Sequence, residues 1–418
     1  MYRKWLAVFI SLVLLLLLVP ACGKEKGETL TPTATPIVTA TPGPTTTIEP
    51  TTTVTATPTA TPSPTSAGPI KIGGINAWSG PGAMAGFLSD PIAKVVEWQV
   101  KQAGGILGGR EVKVVKYDDR GVVADAAAGA KKLILEDKVS ALVWGGLSGA
   151  EMDAISDVAE ASNVLYVTMG EFANTEAKVT LSATFRDPAY AKPIADLATR
   201  VLKAKTVGFL ANELSDNHRR VGYYKESLEP AGLKTVYEEY VPVGTQDLMS
   251  YLTKIKYANP DVLVLDTGQN EFLMTAARQI LELGGWGNTK VITLPSGESA
   301  IKLAGAADWY VMSAWIPSVP NAESQKFVQD YRTVNGGPLM NSAQIFYYNA
   351  VLIAVKAVEF AGSDDQAKVA AAVRSGKLEV DTPMGYARFT LENKGYGGLF
   401  PVLTHVEGGK LVPVTIPQ

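Results

Sequence analysis

His218, His405 and Cys22 are the chain's entire stock of imidazoles and thiols. Three such groups are too few for a zinc, haem or iron–sulfur centre, and a lone cysteine excludes an intrachain disulfide. Any imidazole-based acid–base chemistry would have to use His218 or His405. An exported hydrolase would need a nucleophile as well, and no G-x-S-x-G elbow occurs. Gly80-Pro81-Gly82-Ala83-Met84-Ala85 spells G-x-G-x-x-A. Pro81 removes a backbone donor there, and the acidic pair Asp118-Asp119 lies well beyond the roughly 20-residue spacing of a ribose-binding acid. No G-x-x-x-x-G-K-[ST] phosphate loop follows any strand-like run. The residues therefore predict no catalytic set, no metal site and no cofactor. With 38 Lys+Arg against 41 Asp+Glu, a formal charge of −3, the chain has no basic field for nucleic acid.

What remains is binding, and the N-terminus says where. Arg3 and Lys4 precede an uncharged apolar run from Trp5 to Val19, short of the roughly 20 residues that span a bilayer comfortably. Residues 1–21 thus read as an export signal. Val19-Pro20-Ala21-Cys22 resembles the bacterial lipobox, in which the Cys is diacylated and becomes the mature N-terminus. A buried core thiol is the plainer alternative, but no core exists at the edge of a signal. Residues 22–68 hold the lipidated end and a stalk. Positions 29–66 are almost wholly Thr, Pro and Ala, with Glu49 their only charge. Proline disfavours helix and sheet there and favours polyproline II, at about 3.1 Å per residue a reach on the order of 120 Å. The segment reads as a spacer, with O-linked sugars as a second use. The expected location is extracytoplasmic: the outer face of the cytoplasmic membrane, or the periplasm.

From Gly68 onward, 46% apolar composition overall and only 19% charge are enough for a large core. Apolar strands at Ile70–Ile75, Val112–Tyr117, Ala141–Trp144 and Val164–Thr168 alternate with helical stretches near Asp90–Gln102, Ala124–Glu136 and Met152–Ala161. A second series follows Phe185-Arg186-Asp187. Its helices are Ala191–Leu202, Gly222–Glu229, Leu248–Ile255 and Phe272–Leu283, and its strands are Thr206–Leu210, Thr235–Tyr240, Val262–Asp266 and Val291–Leu294. The tail adds helices Gln344–Ala361 and Gln366–Ser375, then β-like Ala387–Leu391 and Phe400–His405. This alternation predicts an α/β fold of two doubly wound, parallel-sheet lobes. In such sheets ligands bind beyond the carboxyl ends of the strands, so the loops there are the ones that matter.

Those loops carry a family likeness. Ile70-Lys71-Ile72-Gly73 with Ser79-Gly80-Pro81, the run Gln102-Ala103-Gly104-Gly105-Ile106-Leu107-Gly108-Gly109-Arg110, and Gly145-Gly146-Leu147-Ser148-Gly149 come first. Phe185-Arg186, Gly244-Thr245-Gln246-Asp247 and Tyr348-Asn349-Ala350-Val351 follow. Together, over residues 69–418, they resemble the type I periplasmic binding proteins, in the branched-chain amino-acid and amide-binding branch of ABC-importer receptors. The resemblance implies a three-crossover hinge, with crossovers near Arg186–Ala189, Trp315–Pro320 and Val380–Gly385. Lobe one would be 69–187 plus 318–380, and lobe two 188–316 plus 381–418.

The same resemblance implies the ligand-binding residues. Ser148 and Gly149 would hold a solute carboxylate, although Ser148 as a simple helix cap explains it equally. Gly170 keeps a close backbone approach, while Phe172 stands where the family has a hydroxyl. Asp216 replaces an aromatic wall residue. Gln269 and Asn270 stand where aromatics are common. Ser296 aligns with an acid that meets the solute ammonium, and Glu298 lies two residues on, with a solvated loop acid as its plainer reading. Trp78 and Ser79 complete the set, and Trp78, Trp144, Phe172 and Trp315 are candidate apolar or cation–π surfaces. The implied function is an extracytoplasmic solute-binding lipoprotein, a monomer that closes on a small polar solute and hands it to an ABC permease. The alternative is a ligand-sensing module of a signalling system with the same fold.

Overall fold

In the computed structural model the described residues are 68–80, 82–146, 148–174, 176–267, 270–294, 309–339 and 344–417. Cys22, the signal and nearly all of the stalk lie outside them. The first sheet joins β1 (Ile70–Asn76), β2 (Val112–Asp118), β3 (Ala141–Trp144), β4 (Leu165–Thr168) and β5 (Thr180–Ser182), all parallel, in the order β2-β1-β3-β4-β5. Every residue of β3 and β4 is buried, as it must be in a sheet covered on both faces. Alternate side chains go to opposite layers. Ile70, Ile72, Val143 and Val167 pack in the core that includes α1 (Ala83–Gln102), while Ile75, Leu142, Trp144 and Tyr166 join the core of α2 (Val123–Leu135) and α3 (Gly149–Ser162).

The second sheet runs β14-β13-β10-β9-β8-β6-β7. Its parallel part is β6 (Thr206–Asn212), β7 (Lys234–Val241), β8 (Val262–Asp266), β9 (Lys290–Thr293) and β10 (Trp309–Ser313). β13 (Val402–Glu407) and β14 (Lys410–Pro413) extend it antiparallel. Its helices are α4 (Ala191–Asp196), α5 (Ser215–Leu228), α6 (Met249–Ala258) and α7 (Asn270–Glu282). The chain then supplies α8 (Ala322–Asn335), α9 (Gln344–Ala361) and α10 (Gln366–Arg374). α9 is buried nearly all round and packs on β3, β4 and α1 of the first lobe. Among the described residues no single helix is long and apolar enough to cross a membrane.

Both lobes share one strand order, β2-β1-β3-β4-β5 and β7-β6-β8-β9-β10. The order reverses beside β1 and β3 in one and beside β6 and β8 in the other, which places a crevice at the carboxyl ends of those strands. All described residues fall in one compact unit, Pro62–Gln418. The second and third passages between the lobes touch: Asn321 Nδ2 donates to the Pro383 carbonyl at 3.0 Å, while Asn321 Oδ1 caps α8 through the Ser324 N–H at 2.6 Å. The tail is divided. β11 (Leu378–Thr382) and β12 (Gly385–Phe389) form their own antiparallel ribbon, Tyr396 bridges Ser182 beside β5, and β13 and β14 join the second sheet.

Two helices start earlier than their apolar period suggests. α5 begins at Ser215 and not near Gly222, because Ser215–Arg220 has no apolar stripe and gains its helicity from polar contacts to β8 described below. α1 begins at Ala83 and runs through Pro91. A proline beside an acid reads as a helix start, but the first two turns are held by tertiary contact, including the Gly86 N–H on the Ala77 carbonyl at 3.0 Å. β5, β10, β11 and α8 were not read from the sequence, and the β-like stretch Ala387–Leu391 falls partly on β12.

Candidate functional site

The loop after β1 is organised by the last residue of β2. Asp118 Oδ1 accepts the N–H groups of Trp78 at 2.8 Å, Ser79 at 3.2 Å and Arg120 at 3.0 Å, and Oδ2 accepts the Ser79 hydroxyl at 2.7 Å. Burial pushes this carboxyl up, but the hydrogen bonds from Ser79, Trp78 and Arg120 outweigh it and hold it below the usual carboxylate range. The Trp78 indole N–H donates to Asp90 at 2.7 Å, and Lys116 Nζ lies 5.4 Å from its ring. Trp78 and Ser79 are thus fixed by lobe-one partners, Trp78 half-buried and Ser79 exposed.

After β3 the chain needs glycine twice. A Cβ on Gly145 would stand 2.6 Å from Asn76 Oδ1, and one on Gly146 would stand 2.6 Å from the Trp144 ring. Ser148 then takes the N-cap position of α3 with extended backbone, yet its hydroxyl makes no cap hydrogen bond. Gly149 opens the helix, exposed, with open space where a Cβ would be. The Ser148 hydroxyl and the first N–H groups of α3 therefore sit together at the carboxyl end of β3, where a helix dipole favours an anion.

Behind this loop lie Asp119, read in the sequence only as half of the Asp118-Asp119 pair, and Glu151, which was not singled out. Asp119 is fully buried and accepts the Gly121 N–H at 3.0 Å, and Glu151, in the first turn of α3, is 5% exposed. Burial pushes both carboxyls up; the neighbouring Asp118 and Asp125 charges raise Asp119 further, and Asp119 in turn raises Glu151. Among the described residues no Lys or Arg forms an ion pair with either.

The loop after β4 brings Gly170 to the crevice and takes Phe172 away from it. Phe172 is 5% exposed and stacks on Tyr396 at 5.0 Å, so its ring belongs to the core and offers no wall to a solute. Trp144 and Trp315 are buried as well, the latter with its indole N–H on Ser324 Oγ at 2.9 Å. Gly170 keeps a half-buried backbone, where a Cβ would meet Met152 Sδ at 3.1 Å.

Lobe two presents a lattice of paired charge. Asp266, fully buried at the end of β8, holds Arg220 through three contacts of 3.2, 3.0 and 2.8 Å, the Tyr224 hydroxyl at 3.0 Å and the Asn217 amide at 3.2 Å. Burial opposes the Arg220 charge, but the Asp266 carboxylate more than restores it and raises its pKa further. Arg219 reaches Asp216 and Asp187, each at 2.9 Å. Asp216 is therefore exposed but already ion-paired, which is not the open acid that an ammonium would need. Asn76 and Asn212, equivalent residues ending β1 and β6, are fully buried. Both side-chain atoms of Asn76 and the Nδ2 of Asn212 lack a partner among the described residues. Gln269, Ser296 and Glu298 lie outside the described residues, and Asn270 is placed only as the start of α7. Asp118 and Asp266 were not read as site residues because a strand-end acid is common, and only the polar ending of otherwise apolar strands could have marked them; Arg220, on the polar first half of α5, carries no local signal.

Two doubly wound lobes with polar strand ends facing a crevice define a two-lobed solute-binding protein. The sequence places it: the periplasmic binding protein profile matches residues 69–398, and the chain belongs to that family. It is similar to the Leu/Ile/Val-binding protein homolog 7 of Brucella abortus, 25% identical over 342 residues, 76% of this chain and 84% of that protein. Its fold is similar to that of LivJ of Streptococcus pneumoniae, solved with isoleucine, at a TM-score of 0.68 and 22% identity over 82% of this chain and 97% of that one. It is also similar to a Rhodopseudomonas palustris solute-binding protein solved with 4-hydroxybenzoate, at 0.67 and 20% over 83% and 96%. The family is one of binding proteins, not enzymes, and its place is extracytoplasmic.

Proposed function

We propose that the protein is the solute receptor of an ABC importer, lipidated at Cys22, raised on the Thr/Pro stalk, and selective for a small solute bearing a carboxylate. The observation that carries the solute class is Ser148: an N-cap hydroxyl with no cap bond, beside the exposed Gly149 and the start of α3. The Gly170 backbone, at the end of the neighbouring strand β4, adds a second close approach on the same lobe. The isoleucine and 4-hydroxybenzoate of the two similar structures both carry a carboxylate, which supports this reading. Pairing of Asp216 with Arg219 at 2.9 Å favours a second reading within it: a carboxylate solute without an ammonium group.

A thermal-shift screen of the mature chain against L-isoleucine, L-leucine, benzoate, 4-hydroxybenzoate, acetamide and putrescine tests both. Binding at 100-fold excess over Kd stabilises by about 2.7 kcal/mol. A shift with one of the carboxylates that is lost in Ser148→Ala supports the proposal. A shift with only acetamide or putrescine overturns it, and L-isoleucine binding better than the benzoates rejects the second reading.

A further inference from the structure

The turn after β4 is tied down at three consecutive residues. The Gly170 carbonyl accepts the Ser182 hydroxyl at 3.0 Å. The Glu171 carboxylate accepts the Asp187 backbone N–H at 3.0 Å and lies 3.3 Å from Arg186 Nε. The Phe172 N–H donates to the Tyr396 hydroxyl at 3.1 Å, and the Arg186 guanidinium sits 5.3 Å from the same Tyr396 ring. Arg186 and Asp187 are the first passage between the lobes. Asp187 opens the 3₁₀ turn Asp187–Tyr190 that leads into α4, and its own carboxylate is held by Arg219 of α5. One side chain, that of Glu171, therefore joins the solute-facing turn of lobe one to the first residue bonded into lobe two.

We propose that Glu171 is a positioning residue, the pivot that couples the turn at Gly170 to the first crossover, so that moving one turns the other. Its charge is secondary. The ion pair with Arg186 is half-exposed, with Arg186 at 50%, and pairs of that kind contribute little. The acceptor offered to the Asp187 N–H is the part that holds the crossover. The pivot does not depend on which solute binds.

Electron–electron distance measurements test it without any solute. Spin labels go on the full chain at Lys131→Cys on α2 and Glu226→Cys on α5, both exposed, in a Cys22→Ser background that removes the only native thiol. Glu171→Ala is expected to add a second, shifted distance population. Glu171→Gln keeps an oxygen acceptor without the charge and is expected to retain the parent distribution, a rescue that a role through charge alone would not give. If Glu171→Ala does not fold, Glu171→Asp withdraws the acceptor by one methylene and is read the same way. An unchanged distribution in the shortened variant overturns the proposal, as does a Gln variant that behaves like Ala.

Discussion

Asp119 and Glu151 behave differently from their exposed kin. Both are buried without a cation among the described residues, and burial raises both carboxyls above their ordinary values. A raised acid binds its proton more tightly in the folded chain than in the unfolded one. The stability this gives is fully present below the unfolded pKa and is lost as pH rises through the folded one. Asp119→Asn keeps an acceptor for the Gly121 N–H and removes the charge. Together with Glu151→Gln it should raise the melting temperature by roughly 2 °C at neutral pH. It should also flatten the fall in stability between mildly acidic and neutral pH; scanning calorimetry of parent and double variant across that range reads this directly. A parent whose stability instead rises with pH there would locate a cation against the pair. Asp216 makes the opposite case. Its exposed carboxylate is satisfied by Arg219, so Asp216→Asn should leave the affinity for whichever carboxylate binds within roughly threefold by calorimetry, less than the 1.4 kcal/mol of a tenfold change.

At the scale of elements, Asp118 staples the β1–α1 connection to the turn after β2, accepting the Trp78 and Ser79 N–H groups and the Ser79 hydroxyl from the first and the Arg120 N–H from the second. Its carboxyl is held below the ordinary range, so the staple is present above the unfolded pKa and is lost as pH falls through the folded one. Asp118 is exposed, so the effect is local. Asp118→Ala should speed amide exchange at Trp78, Ser79 and Arg120 by about tenfold or more near neutral pH, while β1 keeps its protection. Exchange that is unchanged at Trp78 would mean the loop is held by the Trp78 indole on Asp90 instead. The strands themselves were legible because four or five consecutive apolar residues bounded by turns leave few alternatives. α5 was legible only in its second half, since Asn217 and Arg220 become helix-forming through Asp266, some 50 positions away.

For the whole molecule, the proposed anchor at Cys22 and the described fold from residue 68 onward occupy separate stretches of chain. Cys22→Ser should abolish labelling by a palmitate analogue and release the protein from membranes, with an unchanged melting temperature. Labelling that persists in the Ser variant would remove Cys22 from the anchor. The arithmetic of the sequence already determined much at this scale. Two histidines and one cysteine are too few for a soft-metal centre, and the near-balanced charge gives no basic field for nucleic acid. Strand–helix alternation across some 350 residues required parallel sheets, because only βαβ crossovers bury such strands on both faces. The order of short motifs supplied the family. What the sequence could not decide was which polar residues are already taken. Asp216 and Phe172 look available in a one-dimensional reading, and both are used elsewhere, one by Arg219 and the other by Tyr396. Asp266, Asp118 and Glu171 look ordinary and each becomes a hub. Motif spacing reports where a loop falls, but a side chain's partner is set by long-range closure, and only the folded chain brings Arg220 to Asp266 or the Asp187 N–H to Glu171.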